Sequence, residues 1–210
     1  MPRPSNTAER RTQITQGFIK IMAKRGYDGA SIGDIAKAAR LTAGLVHYHF
    51  KSKHEIRLAA LHDLVAQHGE RLEARIAQTK GDPIIELDAL IDFHLGLGAN
   101  ADPEALACWI LFSGEALRDT RVRSAFAKAL ASIARRISMV IRQGVAQGLF
   151  EGPSPDAAAS ALVATIQGYF VLAATSREVI PRGSAADCAK QMMTGLLHPA
   201  RPLGRSQGRT

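Results

Sequence analysis

The sequence predicts an all-α chain of about nine helices, on three observations. The composition is rich in Ala, Leu, Ile and Arg and holds only 5% aromatic residues, with little β-branched patterning, a balance that favours helix over strand. Apolar residues recur at three- and four-residue spacing along most of the chain, as one face of a helix requires. Three helix starts also share one device, a capping residue followed by proline: Asp82-Pro83, Asp102-Pro103 and Ser154-Pro155. Proline suits the first helical position because its missing N–H would have no intrahelical partner there. At 210 residues and 46% hydrophobic content, the chain is long enough for one large domain or for a small module joined to a larger one.

Ile14, Phe18, Ile21 and Met22 place a first helix at about 8–25, stopped by Gly26. Ser31, with Asp34 three positions on, opens a second over about 31–38, whose apolar face is Ile32, Ile35, Ala36 and Ala39. Thr42 caps a short third helix over about 42–48. Lys51-Ser52 starts a long fourth, with Ile56, Ala60, Leu64, Leu72 and Ile76 as its stripe. The proline-led starts give helices near 83–97, 103–117 and 155–176, and an amphipathic segment over about 120–147 ends at Gly148. A last helix over about 185–197 precedes HPARPLGRSQGRT, whose Pro, Gly and Arg content predicts a disordered basic tail over 199–210.

Several function classes find no support. Cys108 and Cys188 lie far apart inside apolar stretches, without the short spacing of a zinc knuckle or a disulfide framework, which fits a reducing cytoplasm. The N-terminal MPRPSNTAERRTQ lacks the apolar run of a secretory signal. AAASALVATIQGYFVLAA, residues 157–174, is long enough to span a membrane, but Ser160, Thr165, Gln167 and Gly168 interrupt it. It reads as a buried or partner-facing helix, and no membrane partner is expected. His47 and His49 point about 200° apart on a helix and cannot chelate together, and His54, His62 and His68 have no Cys or acidic partner at ligand spacing. GLGANA at 96–101 follows a helix rather than a strand, so it reads as a helix-ending turn and not a dinucleotide fingerprint. With no nucleophile elbow, P-loop or HExxH motif, neither an enzyme nor a metal or other cofactor is expected.

The net charge of +8 is unevenly placed. Residues 1–60 carry eleven Lys/Arg against four Asp/Glu, residues 61–200 carry thirteen against fifteen, and the last ten add three Arg and no acid. A basic N-terminal module on a near-neutral body is the footprint of a nucleic-acid-binding module carried by a second domain, although charge alone is equally compatible with a solvated basic face. Pattern favours the former. Two short helices about three residues apart, the first capped and amphipathic and the second polar on one face, form a helix-turn-helix that Ile32, Ile35, Ala36, Leu41, Val46 and Phe50 would hold together.

The stretch SIGDIAKAARLTAGLVHYHFKSKHEI resembles the N-terminal signature of TetR-family transcriptional regulators. Ser31, Ile35, Ala36, Ala39, Leu41, Thr42, Gly44, Val46, His49, Phe50 and Lys53 fit or conservatively replace that signature over about residues 8–55. Arg40 stands where the family usually has glycine in the turn, and His47 where it favours tyrosine. If residue 40 is left-handed, Arg costs about 1 kcal/mol relative to Gly.

The resemblance implies that the second helix of the pair enters the major groove of double-stranded DNA. Thr42, Ala43, Gly44, Leu45, His47 and Tyr48 would then lie against bases or sugar-phosphate, and Ser31, Gly33, Arg40, His49 and Lys53 near phosphates. It further implies a helical effector-binding and dimerisation domain over 55–198, behind a three-helix DNA-binding domain over 1–54. Phe93, His94, Cys108, Trp109, Phe112, Phe126, Met139, Tyr169 and Phe170 concentrate the body's large aromatic and soft side chains. Singly each reads as core; as a group, the resemblance turns them toward a pocket for a small-molecule effector. On the penultimate and last helices, Leu162, Thr165, Ile166, Tyr169, Ala173, Cys188 and Met192 are the expected homodimer face, the alternative being intramolecular core.

Overall fold

The computed structural model describes residues 6–96 and 102–204, so residues 97–101 of the GLGANA stretch and 205–210 of the tail lie outside the described residues. The described residues form nine α-helices: α1 Asn6–Arg25, α2 Ile32–Ala38, α3 Ala43–His49, α4 Lys53–Ile76, α5 Pro83–Leu95, α6 Pro103–Glu115, α7 Thr120–Ala146, α8 Pro155–Thr175 and α9 Ser184–Leu197. Two single 3-10 turns, Ala77–Thr79 and Arg177–Val179, follow α4 and α8. The all-α class expected from the sequence is what the chain adopts.

The caps are those the sequence marks. Ser31 Oγ accepts from the Asp34 N–H at 3.0 Å, Thr42 Oγ1 from Leu45 at 3.3 Å and Ser52 Oγ from Glu55 at 3.2 Å. Asp82, Asp102 and Ser154 cap α5, α6 and α8, each just before its proline. Every such bond satisfies a backbone donor that the first helical turn leaves unpaired, which stabilises a start by about 1 kcal/mol.

The chain divides into two compact units: Met1–His68 with Asp102–Ala127, and Gly69–Ala101 with Lys128–Thr210. The boundary expected at 54/55 therefore falls inside the first unit. The reason is chemical, since Arg57 on α4 is only 4% exposed and its guanidinium reaches Glu115 at 2.5 Å and Asp119 beside it, both at the α6–α7 corner. In this unit α1 packs on α2, α3 and α6, burying Ile14, Phe18 and Met22 with Ile35, Val46, Phe50 and Phe112. Each such side chain taken from water contributes about 1.5–3 kcal/mol.

The second unit has a core of Leu87, Leu90 and Ile91 from α5, Ile137 and Ile141 from α7, Leu162 and Ile166 from α8, and Ala189 and Met193 from α9. The start of the tail joins it: the Ala200 N–H donates to the Leu149 carbonyl at 2.9 Å, Arg201 pairs with Asp82, and Leu203 is 9% exposed in the core. Residues 199–204 are thus packed rather than loose, because a single apolar anchor and a cap-residue ion pair hold them.

Two backbone features shape the helix-turn-helix. Gly17 sits where α1 crosses α2: a Cβ there would lie 2.9 Å from the Ile35 carbonyl oxygen and 3.1 Å from the Ala39 Cβ. The turn after α2 is a Schellman motif, in which the Leu41 N–H donates to Ala36 and that of Arg40 to Lys37. Its left-handed position is Arg40, with φ 57°, where the equivalent turn ending α7 has Gly148.

Two stability outcomes follow. Alanine gains about 1 kcal/mol over glycine in an open helix, but at residue 17 it meets backbone that must move, at about 1–3 kcal/mol. Gly17→Ala therefore lowers the unfolding free energy in urea titration. Arg40→Gly raises it by about 1 kcal/mol, since the left-handed conformation costs an L side chain that much and glycine nothing.

Candidate nucleic-acid interface

The second helix of the pair presents one open face. Thr42, Ala43, Gly44, His47 and Tyr48 are exposed, Tyr48 by 80%, whereas Val46 and Phe50 face inward and Leu45 and His49 are half-buried. The spacing causes this, because positions 43, 44, 47 and 48 share one side of a 3.6-residue helix and position 46 points away from it. Glycine and alanine open the face, so a partner surface can approach its backbone closely, while His47 and Tyr48 supply the donors and the apolar edge. The Tyr48 and His49 rings meet edge to face at 5.0 Å between centroids.

The expected phosphate-side residues have distinct surroundings. Ser31 is a cap first: besides accepting from Asp34 N–H, its hydroxyl donates to Asp34 Oδ2 at 2.6 Å. That bond, with Arg25 at 3.4 Å, holds the Asp34 carboxyl below its ordinary range. Gly33, in the first turn of α2, and Arg40, in the turn after it, are both exposed. Lys53 is half-buried, with Nζ donating to the Tyr27 carbonyl at 3.0 Å and lying 4.3 Å from the Tyr27 ring, so one of its three N–H groups is committed and the ammonium is fixed in place.

Sequence spacing missed three positioning side chains. Arg11 donates to the His49 carbonyl at 2.5 Å and stacks 3.9 Å over the Phe50 ring, completing the C-terminal end of α3 with a cation. Tyr27 lies within cation–π distance of both Lys53 and Arg57, and it meets Phe18 edge to face. Arg57 also contacts His54 Nδ1 at 2.7 Å. Apart from His54 and Phe18, their partners are 26 to 62 positions away, beyond the reach of any local pattern.

The expected effector residues divide between the two units. Cys108, Trp109, Phe112 and Phe126 belong to the first, all buried. Trp109 and Phe126 stack at 4.4 Å, and Cys108 Sγ faces the Ile19 carbonyl at 3.2 Å, its thiol pushed up to about 12 by burial. Phe93, His94, Tyr169 and Phe170 belong to the second. His94 is buried with Nδ1 on the Leu90 carbonyl at 2.8 Å, and burial lowers its pKa. Phe93, Tyr169 and Phe170 are half-buried against the core. Met139 is 60% exposed: it lies on the outer side of α7, opposite Ile137 and Val140, and does not line an interior pocket.

The expected dimer face also separates. Leu162 and Ile166 are 1% and 0% exposed, members of the second core, and so are not surface residues. Thr165, Tyr169 and Ala173 are half-buried, and Cys188 and Met192 are exposed. The outward stripe of α8 is instead Ala161, Ala164, Gly168, Val171 and Leu172, all exposed. This helix is long and apolar enough to cross a membrane by composition, yet only 22% of its apolar window is buried in the chain. It leaves an apolar face uncovered.

Comparison with known proteins accords with this geometry. Residues 14–60 match the model of bacterial regulatory proteins of the tetR family, and residues 83–198 match the C-terminal domain of BetI-type transcriptional repressors. The HTH-type transcriptional regulator BetI of Rhizobium meliloti is 25% identical over 173 residues, 81% of each chain. CymR of Pseudomonas putida, also an HTH-type transcriptional regulator, is 34% identical over 102 residues, 45% of this chain and 50% of its own. A transcriptional regulator of Saccharomonospora viridis, crystallised with choline, superposes with a TM-score of 0.77 at 27% identity, covering 90% of this chain and 98% of that one. A TetR transcription regulator of Haloarcula marismortui gives 0.82 at 18% identity, over 90% and 99% of the two chains, a likeness of fold. The chain belongs to the TetR family of bacterial regulatory proteins, and it is a DNA-binding transcriptional regulator with a BetI-type C-terminal part.

Proposed function

We propose that this regulator is a homodimeric repressor whose two copies each lay α3 in a major groove of a near-palindromic operator. The observation that carries this reading is the open face of α3, with Thr42, Ala43, Gly44, His47 and Tyr48 exposed and opposite the buried Val46. A seven-residue helix reads few base pairs, so two heads about 34 Å apart on one side of the duplex supply the specificity. His47 and Tyr48 are the base-reading side chains, and Lys53, Arg40 and Gly33 sit on the phosphate side. Ser31 serves chiefly to hold the start of α2.

Dimerisation uses the outward stripe of α8, Ala161, Ala164, Gly168, Val171 and Leu172, with Cys188 and Met192 of α9. Small residues let helices approach closely, and burying this face removes apolar surface that one chain leaves in water. The effector is a small organic molecule bound in the second unit, with the half-buried Phe93, Tyr169 and Phe170 as the side chains that would face it; the choline held by the Saccharomonospora viridis regulator supports an effector of this size. It acts by binding more tightly to a dimer whose heads are wrongly spaced for adjacent grooves, since only differential affinity shifts such an equilibrium. Binding and release account for the function in the cytoplasm, without catalysis.

Two experiments test this. In electrophoretic or fluorescence titrations, Lys53→Ala weakens all duplexes alike and lowers the slope of log affinity against log salt by about one unit, whereas His47→Ala changes base preference. A protein that binds its own upstream DNA no better than random duplex would refute the reading. For the dimer, Gly168 is exposed and a Cβ there would meet no neighbouring element within 4 Å, so Gly168→Arg can point its side chain into solvent in the single chain. Sedimentation then shows a monomer with at least tenfold weaker operator binding, and a dimer that persists rules out this face.

A further inference from the structure

The second unit contains a cavity of about 430 Å³ that none of the roles above uses, within the size range of small-molecule sites. It lies between the end of α5 and the α8–α9 connection. Its floor is apolar, formed by Leu95, Ile180 and Ala185, each no more than 5% exposed, with Pro181 at the rim. Its charged lining is of one sign: Arg177 and Arg182, and among the described residues no Asp or Glu. Arg177 is held against the wall, because Nη1 donates to the Ile180 carbonyl at 2.8 Å. That bond anchors one arm of a planar fork and leaves its other donors, which suit the two oxygens of a carboxylate or phosphate. A cation such as choline has the wrong sign for this lining.

We infer that this cavity binds a small organic anion, a carboxylate or phosphate monoester with a compact apolar body, through Arg177 and Arg182. The apolar body covers Leu95, Ile180 and Ala185, and the anionic head takes the free arm of Arg177. The site belongs to the second unit alone and does not rest on the repressor reading.

Isothermal titration calorimetry on the full chain tests it, with benzoate and phenyl phosphate as anions, choline as the cation and benzyl alcohol as the neutral control. At least one anion is expected to bind at one site per chain, at least tenfold more tightly than choline or benzyl alcohol. Arg177→Ala weakens it at least tenfold, Arg182→Ala weakens it less, and Arg177→Lys falls between wild type and Arg177→Ala. Far-UV circular dichroism melts verify the fold, and if Arg177→Ala does not fold, Arg177→Lys and Arg182→Ala carry the test. The inference is overturned if neither anion binds at millimolar concentration, if the folded arginine variants bind as wild type does, or if the same arginine substitutions weaken choline or benzyl alcohol binding as strongly as they weaken that of the anion. A preparation that binds the anion but ignores its own upstream DNA defeats the repressor reading and leaves the site standing; the reverse result defeats the site alone.

Discussion

The first unit depends on one buried guanidinium. Arg57 meets Glu115 and Asp119 along its edge, His54 at one nitrogen and the Tyr27 ring across its face. Taking such a charge out of water costs several kcal/mol, which the carboxylates and the ring offset without a large net gain. Its effect is therefore chiefly on geometry. The connection after α1, the first turns of α4 and the α6–α7 corner all have to satisfy the same planar group, so none of them shifts without unpairing a buried charge. Asp119 reinforces this, because it also accepts the Arg121 and Val122 N–H groups and begins α7.

The reading module is built on close approach rather than on bulk. Gly17 lets α1 reach the backbone of α2, Ala36 and Ala39 keep that crossing tight, and Arg11 ties the end of α3 back to α1. A face made of Ala43 and Gly44 is useful only if the helix behind it is rigid, since those residues offer no side chain to adjust. Arg40 is the exception to local economy. It holds a left-handed turn where glycine would be unstrained, and it is an exposed cation in the connection between α2 and α3.

In the second unit, buried charges are kept in pairs. Glu86 lies 2.8 Å from Arg136, and although burial raises its pKa, the guanidinium opposes that shift. Lys190 reaches Asp88 at 3.0 Å and Asp92 at 2.7 Å, and these two bonds outweigh the burial that would lower its pKa. Both clusters join helices that the apolar core already brings together, so they fix rotation about the helix axes more than they add stability. Arg177 and Arg182 differ in having, among the described residues, no carboxylate beside them in the cavity lining.

The sequence by itself determined the nine helices, their capped starts and the reading helix, because caps, proline positions and 3.6-residue periodicity act within a few residues of chain. The resemblance to the TetR-family signature marked Arg40 as a departure from glycine, and the positive φ gives that departure its physical meaning. Which way α8 faces was not legible: this helix is apolar on nearly every side, so periodicity could not phase it, and Leu162 and Ile166 turned inward while Ala164, Gly168 and Leu172 turned out. Nor could composition separate Trp109 and Phe126, which stack in the first unit, from Phe93, Tyr169 and Phe170 in the second. Tertiary structure alone decided these points, along with the partners of Arg11, Tyr27 and Arg57, because burial and ion pairing depend on residues dozens of positions apart that meet only once the chain has folded.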